Sequence, residues 1–463
     1  MNLKKLIAGT LVSAAVFAAT ADESPRYVFY FIGDGMGLGH VNAAQAYNRM
    51  VRGNKEPLLM MQFPVASVAT TYSASWPVTD SAAAGTALAT GHKTANGMLG
   101  MTPDTVAVQS VAADLFREGW GVGIVTSVTP DDATPGAFYA HQPTRSRYFE
   151  IGKQAAESGY QFIAGSTLRG VKDKKGNSTG LLEVLSQSGV DVVRGLGGLD
   201  ASRSERIMLL NPESVTSHNI GYTIDSIQGV LNLPDMTRGC LAHLEKTSPD
   251  RFFMMVEGGN IDYAAHANDG GTVIKEIVNF NEAIGVAYQF YLAHPEETLI
   301  VVTADHDTGG MSFDFKWGAN LGAIDYQRVS KDRFSDWCRA LLKSRRNFTW
   351  NDMKEYLSEN LGFWTGVPVT EQETEKLRAA FDKTFELRNS ADQKTLYNTF
   401  NEFAVAVFNV LNEHAGVSFT TTSHAGNLVP VYAIGAGADS FKGFNDNTDI
   451  PAAILKLTLP RAR

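Results

Sequence analysis

Five short apolar runs decide what this chain can fold into. They are Tyr27–Ile32, Val122–Val125, Phe252–Val256, Thr298–Thr303 and Val429–Ile434. A strand with one face in water alternates polar and apolar residues; a strand covered on both faces does not. These runs barely alternate, so they are expected to be buried parallel strands. Helical stretches separate them. That alternation predicts an α/β fold, a three-layer sandwich with a mostly parallel central sheet flanked by helices. A length of 463 residues suits one large α/β domain with insertions.

The runs end in polar groups. Asp34 follows the first, Glu257 the third, and Asp305-His306 the fourth. Ligands of open α/β sheets bind beyond the carboxyl ends of the strands, so acids distant in sequence are expected to converge there. From about 315 to 420 the strand rhythm stops, and the stretch reads as a helix-rich insertion. Thr370 and Glu373 form a capping box, and Leu377, Phe381 and Phe385 then line one helix face.

Composition narrows the class. A hydrophobic share of 44% and a charged share of 19% describe an ordered globular protein. The net charge of −9 argues against nucleic-acid recognition. Lys4 and Lys5 precede an apolar run from Leu6 to Ala19, followed by Ala19-Thr20-Ala21. Residues 1–21 therefore read as a signal peptide, with 22–463 as the mature chain in the periplasm or medium. The run is shorter than the roughly 20 residues a bilayer requires, and no membrane span is expected. Cys240 and Cys338 are the only cysteines; in an oxidising compartment they can pair or stay free.

The chemistry-bearing residues follow. Ser81 opens an alanine-rich helical segment, Asp80-Ser81-Ala82-Ala83-Ala84-Gly85-Thr86. A serine there is either an N-cap or a nucleophile whose anionic forms the helix N-terminus stabilises. Gly33-Asp34-Gly35-Met36-Gly37 lacks the third glycine of a dinucleotide fingerprint. Asp262 and His266 are four apart and share a helix face. Asp305 and His306 are adjacent, and His424 lies far downstream. Carboxylates and histidines gathered at strand ends suit zinc and magnesium.

On these residues the chain resembles the alkaline phosphatase family over nearly its whole mature length. The nucleophile-like segment around Ser81, Asp132-Ala133-Thr134-Pro135 through Arg145, Glu257 through His266, Asp305-His306 through Gly310, and His424-Ala425-Gly426 follow in the family's order. The resemblance implies hydrolysis of phosphate monoesters to an alcohol and inorganic phosphate through a phosphoserine at Ser81. It implies two zinc ions and one magnesium ion per chain. Asp262, His266 and His424 would hold the first zinc, and Asp34, Asp305, His306 and Ser81 the second. Asp34, Thr134 and Glu257 would hold the magnesium, with Asp132 at its water shell. Arg145 would clamp two phosphate oxygens. Three divalent ions and Arg145 would outweigh the carboxylates and an ionised Ser81, leaving a locally positive site in an acidic protein. Relatives are commonly homodimers, and a homodimer is expected.

Two positions depart from the family's usual pattern. Tyr263 follows Asp262 where relatives carry Lys, His or Trp, and Asp132 stands where some branches carry His. The nearest alternatives are a phosphodiesterase or sulfatase of the same superfamily. From another class, the alternative is a non-catalytic periplasmic phosphate or metal binder. His40, His92, His218, His243, His294 and His414 have no partner at useful spacing. They are expected to be surface residues or satisfied core. His141 is a candidate supporting residue, and Asp307 a local hydrogen-bonding group.

Overall fold

A computed structural model describes residues 24–213, 218–313, 319–344 and 348–459. The expected signal peptide lies outside the described residues. Among the described residues ten strands form one sheet: β1 Tyr27–Ile32, β2 Val65–Thr70, β3 Gly121–Thr126, β4 Phe162–Ala164, β5 Asp191–Arg194, β6 Ile207–Leu210, β7 Phe252–Glu257, β8 Thr298–Thr303, β9 Val429–Gly435 and β10 Phe444–Asp446. Their spatial order is β10-β2-β9-β8-β1-β7-β3-β4-β6-β5. The apolar runs occupy its centre, where helices cover both faces.

Strand β1 shows why no alternation was visible. All six of its residues are buried. Phe29 and Phe31 point to one face and meet Phe290 and Phe280 of the helix Gly270–Ala293, with ring centroids 5.5 and 5.8 Å apart. Tyr30 points the other way. It packs edge-on against Phe138 and donates a hydrogen bond to the Leu88 carbonyl of the helix Ser81–Thr90. Each face of one strand thus anchors a different helical layer.

Register sets up the site. Ile32 pairs with both Glu257 and Thr303, and Glu257 also pairs with Thr126. The carboxyl ends of β1, β3, β7 and β8 are therefore flush, and the residues that follow leave the sheet side by side. Strand β9 departs from the expectation of parallel runs: it is antiparallel to both β8 and β2. Burial on two faces removes alternation whichever way a strand runs, so the sequence pattern carries no direction. The reversal has a consequence for His424. That residue precedes β9, so it reaches the same edge as residues that follow the other strands.

Between 319 and 420 the described residues form the helices Lys331–Ser344, Trp350–Leu361, Glu371–Phe381 and Glu402–Ala415. Thr370 and Glu373 make the reciprocal capping bonds, and Thr349 and Asp352 make a second such box. Phe381 and Phe385 both pack on Phe403. Phe385 itself lies in a wider π turn, Asp382–Glu386. Cys240 and Cys338 are both buried and free, so the chain carries no internal disulfide. Among the described residues no helix is long and apolar enough to cross a membrane.

Candidate active site

Ser81 is the first residue of its helix, and Asp80 is the cap: the Asp80 carboxylate accepts from the Ala83 amide. The serine hydroxyl is thus released from capping. It lies 3.1 Å from His306 Nε2 and is almost wholly buried. Glycine at 35 permits the close approach behind it. With φ at +72°, a Cβ there would stand 2.8 Å from Thr308 Oγ1 and 3.0 Å from the Asp262 side chain.

Three histidines turn the same nitrogen inward. His266 Nδ1 donates to the Thr422 carbonyl at 2.6 Å, and His424 Nδ1 donates to the Thr79 carbonyl at 2.8 Å. Thr308 Oγ1 gives its proton to Asp262, so it accepts from His306 Nδ1 at 3.2 Å. Each ring therefore keeps a lone pair on Nε2. His266 and His424 bring these nitrogens within 3.1 Å of each other. Two lone pairs at that separation repel unless a cation lies between or beside them. Burial and the neighbouring His424 and His266 also hold His306 well below its ordinary value, so its ring is neutral and able to act as a ligand.

The carboxylates add the opposite half of the case. Asp262 Oδ1 is 3.4 Å from His266 Nε2 and 3.8 Å from His424 Nε2. His306 Nε2 is 3.4 Å from Asp34 Oδ1 and 3.2 Å from Asp305 Oδ2. Asp305 Oδ1 accepts from the Gly35 and His306 amides. Asp34 Oδ1, Asp262 Oδ2, Asp305 Oδ2 and Thr134 Oγ1 are buried without a hydrogen-bond partner. Burial, with Asp305 and Asp262 adding to it, pushes Asp34 well above the usual carboxylate range. Burial alone is the largest cause for Asp305, raised to about 7, and Glu257, raised to about 8. So many orphaned oxygens in a low-dielectric site call for cations. The donors, oxygen and imidazole nitrogen, suit zinc and magnesium.

Arg145 lies at the open side. It donates to Asp132 at 2.9 Å and stands 3.5 Å from Asp80. Asp132 also accepts from the Ala133 amide and from the Tyr263 hydroxyl, and Arg169 is 3.8 Å away. Burial would raise this carboxyl, but Arg145 and Arg169 outweigh it and hold it down to about 2. Glu257 accepts from Thr126, and the helix Ser81–Thr90 packs on the turn Ala133–Gly136 that carries Thr134.

The model of the alkaline phosphatase family matches residues 26–174 and 216–459. The chain belongs to the alkaline phosphatase family. It is 28% identical to alkaline phosphatase 4 of Bacillus subtilis over 449 residues, covering 93% of this chain and 88% of that one. Identity to alkaline phosphatase 3 of the same organism is 27%, over 98% of this chain and 95% of that one. Among solved structures, the cold-active alkaline phosphatase of a psychrophilic Shewanella species superposes with a TM-score of 0.78 at 27% identity. That match covers 94% of this chain and all of the other. Family and fold together make this chain a phosphomonoesterase. The family match runs unbroken through 315–420 and leaves out 175–215.

In this alkaline phosphatase the fold gathers Asp34, Ser81, Glu257, Asp262, His266, Asp305, His306 and His424 at one sheet edge, with Asp132, Thr134 and Arg145 beside them. Sequence reasoning passed over five contributors. Asp80 caps the helix and holds Arg145; Thr308 orients Asp262 and His306; Thr126 holds Glu257; Arg169 borders Asp132. Tyr397 stacks on Tyr263 with centroids 4.0 Å apart. Only Asp80 had a local signal, its place just before the helix. Of the histidines expected to be surface or satisfied core, His40 is a correction. It is fully buried, neither ring nitrogen makes a hydrogen bond within reach, and Asp307 Oδ2 stands 3.8 Å from its Nδ1. Burial lowers it to about 4 against the opposing pull of the Thr308 backbone and Asp262, so the ring stays neutral. His141 bonds the Gly100 carbonyl and supports the loop before Arg145.

Proposed function

We propose that the enzyme hydrolyses phosphate monoesters in two displacements through a phosphoserine at Ser81. The observation that carries this reading is the convergence of three imidazole Nε2 atoms and orphaned carboxylate oxygens around one uncapping serine at a helix start. In this reading Asp262, His266 and His424 hold one zinc ion. Asp34, Asp305 and His306, with Ser81, hold the other. Asp34, Thr134 and Glu257 hold magnesium, with Asp132 beyond it. When bound, the ions supply Lewis-acid stabilisation of the attacking and leaving oxygens.

The chain's own groups do the rest. Ser81 Oγ attacks phosphorus in line and the alcohol departs. Water then attacks the phosphoserine from the opposite side, restoring the serine and releasing inorganic phosphate. The positive end of the helix Ser81–Thr90 favours the negative charge on Oγ and on the phosphoryl group. Arg145 presents a planar fork to two phosphoryl oxygens. Asp80 and Asp132 grip that fork from behind, so little ordering is left for the moment of binding.

The test is the metal-loaded enzyme assayed on an aryl phosphate, an aryl phosphodiester and an aryl sulfate. The reading expects the monoester to dominate. A preference for the diester or sulfate, or turnover without a trapped phosphoserine, would overturn it. Export to the periplasm or medium and a homodimer belong to the same proposal. The N-terminus of the mature protein and its mass in solution check them.

A further inference from the structure

Tyr397 lies far from every motif that carries the chemistry, yet it stands over the site. It occupies the turn of a short hairpin in which Gln393–Lys394 pairs with Thr399–Phe400. Its ring stacks on Tyr263 and meets the edge of His266 at 5.2 Å, with an interplanar angle of 81°. The turn is pinned: Asn398 donates to Asp332 at 2.6 Å, and Thr395 and Asn398 bond each other across the hairpin.

The Tyr397 ring borders a cleft of about 430 Å³, shared with Tyr222, Tyr263, Arg169 and Asn398. The volume fits a small organic group. The acids on the cleft are already engaged. Asp332 accepts from Tyr222 and Asn398, Asp225 accepts from Ser330, and Asp336 accepts from Arg339. Two of its walls reach the site: Tyr397 meets the ring of His266, and Tyr263 donates to Asp132, the carboxylate that holds Arg145.

We propose that this cleft is the leaving-group subsite, and that Tyr397 is its specificity-determining residue, favouring monoesters of phenols and other planar aromatic alcohols. The inference rests on the monoesterase reading above. Aromatic rings gain from a tyrosine wall by offset or edge contact, a small alkyl group much less. A pinned ring also loses little freedom when the substrate arrives.

The experiment compares kcat/KM for phenyl phosphate and methyl phosphate in the metal-loaded wild type, Tyr397→Leu and Tyr397→Phe. Tyr397→Leu is expected to lower the phenyl-to-methyl ratio about three- to tenfold, mainly through KM for the phenyl ester. Tyr397→Phe, which keeps the ring, is expected to restore the ratio. Equal losses on both esters would make Tyr397 a packing residue for His266 and overturn the inference. So would a ratio unchanged in Tyr397→Leu. If Tyr397→Leu does not fold, Tyr397→Trp decides. A larger face should raise the ratio, and an unchanged or lowered ratio counts against the subsite. Wild-type enzyme that hydrolyses neither ester would instead sink the monoesterase reading, and this inference with it.

Discussion

Tyr263 donates its phenolic hydrogen bond to Asp132 at 3.0 Å, on the carboxylate that also holds Arg145. Asp132 is thus already neutralised by Arg145 and by Arg169 nearby. A lysine at 263 would add a positive charge that this carboxylate does not need. Tyr263→Lys is expected to strengthen inhibition by inorganic phosphate several-fold and to lower kcat where product release limits turnover. The phosphate inhibition constant and kcat, measured at one pH and one salt concentration, check this. Unchanged or weaker inhibition with metal content intact would show that position 263 does not tune release.

Ser81→Ala should remove turnover without unfolding the helix. The cap is Asp80, so losing the serine hydroxyl leaves the helix start satisfied. Stability is expected to fall by no more than about 1 kcal/mol, the scale of one hydrogen bond, while kcat falls by at least about a thousandfold. Asp80→Ala should do the converse to stability, costing about 1 kcal/mol for the lost cap, and should also loosen Arg145. Thermal unfolding and steady-state rates on the same samples separate the two effects.

Arg145→Ala is expected to raise KM for monoesters and weaken phosphate inhibition by roughly ten- to a hundredfold, the scale of hydrogen bonds to a charged group. A diester offers the fork fewer free oxygens, so its loss should be smaller. Kinetics on an aryl monoester and an aryl diester decide, and equal losses would remove Arg145 as the selector.

Metal removal should expose a pH dependence. Burial lifts Asp305 to about 7 and Glu257 to about 8 in the metal-free fold, above their unfolded values. The folded state then holds more protons than the unfolded one, so stability falls as pH rises through this window. Divalent ions take the place of those protons and release them on binding. The gap in Tm between metal-loaded and chelator-stripped protein is therefore expected to widen from acid to alkaline pH. A gap that stays constant would mean these carboxyls do not meet the metals. Metal analysis of extensively dialysed protein is expected to return about two zinc ions and one magnesium ion per chain, following the donor chemistry.

Much of this molecule was legible without coordinates. The central strands announce themselves because burial on both faces demands unbroken apolar runs, and that demand is local. The acids at their ends follow from the same logic. Asp34, Glu257 and Asp305 stand where a parallel sheet opens, and Asp262 and His266 share a helical turn. The short outer strands, such as Phe162–Ala164, were harder to see because three residues hold no period.

The tertiary structure decided the rest, because strand pairing and packing join residues that no local pattern connects. Register made the ends of β1, β7 and β8 flush, and the reversal of β9 delivered His424 to the same edge. Capping passed from Ser81 to Asp80, a choice of one residue that leaves the serine free. Asp132 became the common partner of Tyr263 and Arg145. Tyr397 came to the site on a hairpin turn held by Asn398 and Asp332, a contact between segments 66 residues apart. Propensity and periodicity speak for neighbours along the chain; these contacts exist only once the sheet has set the distances between its strands.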